Sequence, residues 1–425
     1  MKKQYKVRIA DALLSRKLEG KGAVLIEGAK WCGKTTTAEQ QAQSIVYMAD
    51  PEKSHQYLSM VELNPRILLE GKAPRLFDEW QIAPKLWDAI RFEVDHRNNL
   101  GQFILTGSAV PPETEKIHHT GTGRFGRVKM RPMSLFESED SNGSVSLAEL
   151  FSGNLDISGR SDLPFEKLAF LICRGGWPRA TSMSGTIALD QAFDYYDAVV
   201  NADISRVDNI ERNAERVKLL MRSYARHQGT QASNAVIKDD MFVNDNSTLN
   251  EDTVYSYISA LKKIFVIEDM PSWNPNLRSK TAIRTSDTRY FVDPSIATAA
   301  LGLGPNDLLN DLNTFGLFFE TMCIRDLRIF SDALNGQVYH YRDASGLECD
   351  AVIHLRNGSY GLIEIKLGGA TRIEEGAANL NKLANKIDTE KMKKPAFKMV
   401  LTGTGDFAYR RKDDVLVVPI GSLKN

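Results

Sequence analysis

The sequence predicts an α/β fold whose first domain is built on a parallel sheet covered by helices on both faces. Short apolar runs alternate with helical patterns through the first third of the chain, and strands that alternate with helices favour a parallel sheet. A second α/β pattern, an apolar helix followed by several short strands, begins beyond residue 308. The first third has its predicted strands at 23–26, 45–48, 75–77 and 102–105, and its predicted helices at 35–43 and 86–94.

Between these two patterns the chain is predicted to be mostly helical, from about 165 to 241. An apolar run at 265–267 follows a further helix, and helices that end in such a short strand resemble a winged-helix module. One face of that helix is marked by apolar residues three or four positions apart, which are Val254, Ile258, Leu261 and Phe265. The chain is therefore predicted to have three domains, at 1–155, 156–305 and 306–425.

The composition excludes several classes of protein. The 425 residues include 54 basic and 54 acidic side chains, so the chain as a whole has no charge bias toward nucleic acid or membranes. The four cysteines have no zinc-ligand spacing and suggest no disulfide framework, which fits a reducing compartment. No apolar run approaches the roughly 18 residues of a membrane helix, and no apolar signal segment follows the N-terminus. We expect a cytoplasmic protein with no membrane partner.

A glycine-rich segment after the first predicted strand carries the strongest functional pattern. Gly28 and Gly33 are separated by four residues and followed by Lys34 and Thr35, as in a phosphate-binding P-loop. Backbone N–H groups of such a turn surround an anion, the lysine reaches the β and γ phosphates, and the hydroxyl coordinates Mg²⁺. A simple glycine turn is the alternative interpretation. The predicted nucleotide-binding residues are Gly28, Ala29, Lys30, Trp31, Cys32, Gly33, Lys34, Thr35 and Thr36.

The third predicted strand ends in two acidic residues, Asp78 and Glu79. In P-loop ATPases such a strand is expected beside the P-loop strand, where the aspartate belongs to the Mg²⁺ shell and the glutamate orients and deprotonates the attacking water. We assign these roles to Asp78 and Glu79, although a solvated strand end would show the same pattern. Thr106 or Ser108, at the end of the next strand, is a candidate sensor of the γ phosphate, and a plain turn is the equal alternative.

A glycine-spaced loop at 121–127 carries two arginines, Arg124 and Arg127. An arginine directed at the γ phosphate stabilises negative charge in the transition state, so either residue is a candidate arginine finger. A solvated basic loop explains the same residues equally well. A finger supplied to a neighbouring chain would require an oligomer.

The last third contains charged residues typical of a metal-dependent site. Asp350 opens a predicted strand, and Glu364 and Lys366 are two apart on the next strand, so they share a face. Two carboxylates bind Mg²⁺ or Mn²⁺, and the lysine stabilises charge near an attacking water. Glu320, a lone acid in an apolar helix, is a candidate third metal ligand. Cross-strand ion pairs on a solvated face, with Glu320 on an exposed stripe, are the alternative.

With these motifs, the sequence resembles the prokaryotic AAA-type ATPases whose C-terminal half is a domain of unknown function. The resemblance covers nearly the whole chain. It is carried by the segments 21–38, 77–81, 105–109, 131–137, 174–178, 291–297 and 348–366.

The resemblance implies a P-loop ATPase domain, a helical and winged-helix-like middle, and a C-terminal domain similar to the PD-(D/E)xK restriction-endonuclease-like folds. Cys349 precedes Asp350, so the Pro-Asp pair of that superfamily is absent and its name proves no cleavage. The residues that inherit roles by motif match are Lys34, Thr35, Asp78 and Glu79 in the ATPase, and Asp350, Glu364 and Lys366 in the nuclease-like domain.

Two functions are consistent with these patterns. The first is a Mg²⁺-dependent ATPase coupled to a nuclease-like domain that engages DNA or RNA. The alternative is a nucleotide-dependent switch whose nuclease-like domain only binds a partner. A local basic stretch is a candidate for phosphate contacts in either case, and it consists of Arg278, Lys280, Arg284 and Arg289.

Overall fold

The computed structural model describes residues 5–109, 121–206, 210–241, 250–278 and 280–425. The chain forms two compact units, each assembled from separate segments of sequence. The first unit comprises 1–132, 198–214 and 256–266, and the second comprises 133–197, 215–255 and 267–425. The division into three domains stays a prediction.

The first unit is built on a parallel sheet, which confirms the predicted fold class. Its elements up to residue 129 are α1 (Ile9–Gly20), β1 (Ala23–Glu27), α2 (Lys34–Glu39), β2 (Ser44–Tyr47), α3 (Ser54–Leu63), α4 (Arg66–Leu69), β3 (Arg75–Asp78), α5 (Lys85–Arg97), β4 (Phe103–Gly107) and β5 (Phe125–Lys129). Among the described residues these five strands form one sheet in the order β2–β3–β4–β1–β5, and every neighbouring pair is parallel.

Both faces of this sheet are buried, as the continuous apolar runs predict. Successive side chains of β1 point to opposite faces. Ala23 and Leu25 belong to the core that contains α5, whereas Val24 and Ile26 pack with Leu14 of α1 in the core on the other face. The sheet therefore holds the turn after β1 in a fixed position between two cores.

Strand β5 corrects one prediction, because residues 121–127 were expected to form a loop. Only the turn at 121–124 has that character, and Arg127 lies within the strand, opposite Leu25 of β1. Polar residues alternate with buried ones along β5, as on an edge strand with one exposed face. A short polar strand of this kind lacks the apolar run by which its neighbours were recognised.

The middle of the chain is mostly helical, as predicted. The strand expected at 265–267 is absent from the described structure, and Phe265 adopts a left-handed backbone conformation. Isolated β-bridges instead pair residue 267 with 291 and residue 270 with 288. The winged-helix module stays a prediction. Among the described helices, none is both long and apolar enough to cross a membrane. The elements are β6 (Val145–Ser146), α6 (Leu147–Ser152), β7 (Gly159–Arg160), α7 (Phe165–Arg174), α8 (Gly185–Ala198), α9 (Ile204–Arg206), α10 (Ala214–Arg226), α11 (Asn234–Met241), α12 (Glu251–Lys263), α13 (Pro294–Leu301) and α14 (Pro305–Asn310).

The end of the chain forms a mixed sheet within the second unit. Its elements are α15 (Leu312–Ala333), β8 (Gly336–Arg342), β9 (Glu348–Leu355), β10 (Tyr360–Lys366), α16 (Ala370–Lys386), β11 (Phe397–Thr402), β12 (Phe407–Arg410), β13 (Val415–Pro419) and β14 (Leu423–Lys424). In the described part of the chain, the larger sheet has the order β7–β12–β13–β11–β10–β9–β8, and β14 pairs with β6. Strands β8, β9 and β10 are antiparallel, whereas β10, β11 and β13 run parallel.

A buried network of charged groups connects three of the segments that carry the family resemblance. Arg325 of α15 donates to Asp293 (2.8 Å) and to Asp326 (2.8 Å), and all three residues are at most 2% exposed. Asp293 also accepts from the backbone N–H of Gly176 (3.0 Å), and Asp326 accepts from that of Leu135 (2.9 Å). Residues of the segments 131–137, 174–178 and 291–297 therefore converge on one polar core of the second unit.

Candidate functional site

The glycine turn after β1 has a backbone that other residues would not tolerate. A Cβ atom on Gly28 would lie 2.0 Å from the carbonyl oxygen of Met130, and Gly33 has a φ of 99° where α2 begins. Trp31 also has a positive φ, of 64°. Glycine at the two ends is thus required by a close backbone approach and by a left-handed conformation.

The Lys34 ammonium lies inside this turn. Its Nζ donates to the carbonyl oxygens of Gly28 (3.0 Å) and Ala29 (2.8 Å), and the residue is 6% exposed. The cation is therefore held where a P-loop lysine meets phosphate oxygens. The other side chains of the turn differ: Cys32 is buried, whereas Thr36 is exposed.

Two hydroxyl groups converge on Asp78. Thr35 Oγ1 and Thr106 Oγ1 each donate to Asp78 Oδ1 at 2.6 Å. We expected the acidic strand directly beside β1, and this expectation is wrong because β4 lies between β1 and β3. The register places Thr106 level with both Ile26 and Asp78, so this inserted strand supplies the link between the P-loop strand and the carboxylate.

Glu79 is held in a strained position beside this group. Its φ of 56° is left-handed, and non-glycine residues in that region are often found at functional sites. Gln81 Nε2 and Ser108 Oγ both donate to Glu79 Oε2, the latter at 3.2 Å. Sequence reasoning missed Gln81, although an amide two residues after the acidic pair was a visible signal.

The two candidate arginine fingers lie at different places. The carbonyl of Arg124 accepts a hydrogen bond from the N–H of Ala23, the first residue of β1. Arg124 therefore lies at the end of the sheet where β1 begins, whereas the P-loop follows the other end of that strand. Its side chain pairs with Asp95 (2.8 Å). Arg127 pairs with Glu27 (3.1 Å), at the P-loop end of β1. Arg124 does not face the P-loop of its own chain, and a role in a neighbouring chain stays a prediction.

The hairpin of β9 and β10 brings the predicted C-terminal residues together. Lys366 Nζ lies 3.0 Å from Asp350 Oδ2 and 2.6 Å from Glu364 Oε2. Asp350 Oδ2 also accepts from the backbone N–H of Ile365 (2.7 Å). Glu364 is 1% exposed, and its buried Oε1 has no hydrogen-bond partner among the described residues.

Glu320 of α15 adds a third carboxylate to this neighbourhood. Burial raises the pKa of Glu320 to about 8, and the negative charge of Asp350 adds to the increase. The same two causes raise the pKa of Glu364 well above its ordinary range. Burial acts to lower the pKa of Lys366, but the charges of Asp350 and Glu364 outweigh it and raise the pKa. Tyr290 OH donates to Glu320.

The donor chemistry of this cluster suits a hard divalent cation. Carboxylate oxygens are preferred by Mg²⁺ and Mn²⁺, and Glu364 Oε1 accepts no hydrogen bond from the part of the chain that the structure describes. Among the described residues, however, no three His, Cys, Asp or Glu side chains are arranged as a metal-binding group. Metal binding by Glu320, Asp350 and Glu364 stays a prediction.

The basic stretch does not act as one surface. Arg289 pairs with Asp269 (2.9 Å), whose side chain is 3% exposed, and it also donates to Asn234 (2.9 Å), so it belongs to an internal ion pair. The prediction that Arg289 contacts phosphates is therefore wrong. The three exposed members of the stretch are Arg278, Lys280 and Arg284.

Comparisons with known proteins divide the chain into three matched regions. Residues 20–139 match an AAA domain family, and the sheet order and the P-loop geometry support an ATP-binding P-loop domain in this part of the chain. Residues 165–307 match a domain of unknown function (DUF8612), and residues 315–423 match another (DUF4143).

None of the curated proteins matches this chain. Among solved structures, the chain is similar to the Walker-type ATPase PABY2304 of Pyrococcus abyssi, with 15% identity and a TM-score of 0.43. That similarity covers 71% of this chain and 97% of the other.

Proposed function

We propose that this chain hydrolyses ATP in a Mg²⁺-dependent reaction at the P-loop. The observation that supports this most directly is the hydrogen-bonded set of Thr35, Asp78 and Thr106, with Glu79 fixed beside it. A hydroxyl and a carboxylate, together with phosphate and water oxygens, suit Mg²⁺. Thr35 and Asp78 would hold that ion, which neutralises phosphate charge when bound.

The chain's own residues then have distinct roles. Lys34 would exchange the carbonyls of Gly28 and Ala29 for phosphate oxygens and so hold the triphosphate. Glu79 would orient a water and take its proton. Gln81 and Ser108 both donate to Oε2 of Glu79. These two hydrogen bonds restrain rotation of the carboxylate and leave Oε1 for the water.

The test combines nucleotide binding with phosphate release. Lys34→Ala is expected to lose ATP binding, whereas Glu79→Gln should keep binding and lose turnover by about 10²- to 10⁴-fold, the usual contribution of a positioned base. Glu62→Gln is the matched control, because Glu62 is exposed and paired with Lys85. Wild-type turnover in Glu79→Gln would contradict the assigned role.

We further propose a function for the Asp350 cluster, which consists of Glu320, Asp350, Glu364 and Lys366. It binds a divalent cation and engages nucleic acid, within a C-terminal domain that includes residues 315–423. Glu364 Oε1, which has no hydrogen-bond partner within the described ranges, and the mutual repulsion of the carboxylates support a cation there. Such a cation would supply Lewis-acid chemistry, while Lys366 would stabilise a developing negative charge.

Exposed basic residues near this cluster would supply phosphate contacts, and one of them is Arg284. The backbone N–H of Arg284 donates to the carbonyl of Arg342 (2.9 Å), at the end of β8. Arg342 is paired in register with Glu348, two residues before Asp350. Arg278 and Lys280 are exposed as well, and each lost phosphate contact should reduce the salt dependence of binding.

The two functions of this cluster are separated by measuring Mn²⁺ binding and cleavage of labelled DNA and RNA, with and without ATP. Loss of cleavage in Asp350→Asn with ATP turnover retained would support a nuclease. Asp414→Asn, which removes an exposed carboxylate paired with Arg410, is the matched control. ATP turnover with no cut product from the wild-type protein would favour the nucleotide-dependent switch.

A further inference from the structure

The P-loop contains a second lysine whose ammonium is held by a carboxylate from far along the chain. Lys30 Nζ lies 2.5 Å from Oδ1 of Asp203, 173 residues later. The Asp203 side chain is 10% exposed, whereas that of Lys30 is 43% exposed. Both residues belong to the first unit. A largely buried negative charge is thus placed against the turn that binds phosphate.

The local backbone fixes the position of this carboxylate. Residues Val199–Asp203 form a π-helical turn between α8 and α9. Such turns occur frequently at functional sites. Arg212 then anchors the segment, because its Nη1 donates to the carbonyl of Ile204 (2.9 Å) and its backbone N–H donates to Ser205 Oγ (3.1 Å). Asp203 is therefore presented to Lys30 by a segment with its own internal support.

We infer that Asp203 is a positioning residue that sets nucleotide affinity by holding the charge of Lys30. The inference rests on the proposed function to the extent that a nucleotide binds at Lys34. Asp203 and the phosphates are two anions that compete for one ammonium. While Lys30 is paired, the carboxylate offsets its attraction for a triphosphate, and the carboxylate itself repels the phosphates. Removing the Asp203 charge leaves the whole charge of Lys30 to the nucleotide.

The main test compares Asp203→Asn with the wild-type protein by displacement of a fluorescent nucleotide with ATP, ADP and AMP. We expect the dissociation constant for ATP to fall about 5- to 20-fold, a typical range for coupled sites. The gain in affinity should be largest for ATP, smaller for ADP and smallest for AMP, because the coupling acts on the charge of the phosphates. A merely structural ion pair would not discriminate among the three nucleotides.

Asp95→Asn is the matched control. It removes one negative charge from an ion pair with Arg124, at the end of the sheet where β1 begins. The P-loop follows the other end of β1, and the five residues of this strand span about 13 Å. We expect less than about a twofold change in ATP affinity from it, because exposed charges at that distance are screened. An equal gain in both variants would show a whole-protein charge effect and overturn the inference.

Lys30→Met tests the same competition if Asp203→Asn does not fold. This variant leaves the Asp203 carboxylate unpaired beside the turn, so ATP affinity should fall, and more than AMP affinity. Unchanged or weaker ATP binding in Asp203→Asn, or an equal gain for ATP and AMP, would overturn the inference. A wild-type protein that binds no nucleotide would instead refute the proposed function, so the two failures are distinguishable.

Linkage requires the reverse effect as well. ATP should weaken the hold of Lys30 on Asp203, and the amides of 199–206 should then exchange hydrogen faster. The increase should be absent in Asp203→Asn, where no ion pair is left to weaken. Equal exchange with and without ATP in the wild-type protein would contradict this coupling.

Discussion

Replacing Glu320 by Gln should change how the stability of the second unit depends on pH. Burial, with the nearby charge of Asp350, raises the pKa of Glu320 to about 8 from an ordinary value of 4.5. Between these two values the folded protein keeps a proton that the unfolded chain has released. The free energy of unfolding should therefore fall as the pH rises through this window.

The magnitude follows from the same two pKa values. One extra proton in the folded state gives a slope of at most about 1.4 kcal/mol per pH unit. Between about pH 5.5 and about pH 7.5 the wild-type protein should lose on the order of 2 kcal/mol relative to Glu320→Gln. Glu364, whose pKa is raised by burial and by Asp350, should leave part of the pH dependence in the variant.

Urea unfolding of both proteins at the two pH values, with a chelator present, measures this difference. Glu375→Gln is the control, because the Glu375 side chain is 53% exposed and paired with Arg372, so its titration should change little. If the free energies of unfolding of the wild-type protein and Glu320→Gln change with pH in parallel, Glu320 is not protonated in the folded state. The reasoning that burial and Asp350 raise the pKa of Glu320 would then be refuted.

Two other substitutions test the two units separately. Thr106→Val should lower the rate of ATP turnover by about 5- to 10-fold, because one hydrogen bond to Asp78 is lost. The affinity for ATP should change less than about threefold. Turnover equal to that of the wild-type protein would show that this bond has no catalytic role. Arg325→Met should destabilise the second unit by about 3–5 kcal/mol, because it leaves Asp293 and Asp326 buried without their cation. Thermal and urea unfolding measure that loss, and a loss below about 1 kcal/mol would mean that the network is not required.

The features predicted correctly from the sequence are those that neighbouring residues encode. The strand before the P-loop and the helix after it follow from apolar runs and helical periodicity, and Gly28 and Gly33 stand where the backbone accepts no side chain. Glu364 and Lys366 were expected on one face because side chains alternate along a strand, and they bind each other there. Such properties depend on bond geometry over a few residues, so they can be recognised without knowing the fold.

What the sequence could not reveal depends on contacts between distant segments. The insertion of β4 between β1 and β3 is a choice of strand order, and no local pattern records it. The burial of Arg289 against Asp269 likewise turned an apparent basic surface residue into an internal one. Lys30 and Asp203 show the same limit most clearly, since an ion pair between residues 173 positions apart exists only because folding brings two otherwise unremarkable charges to one place.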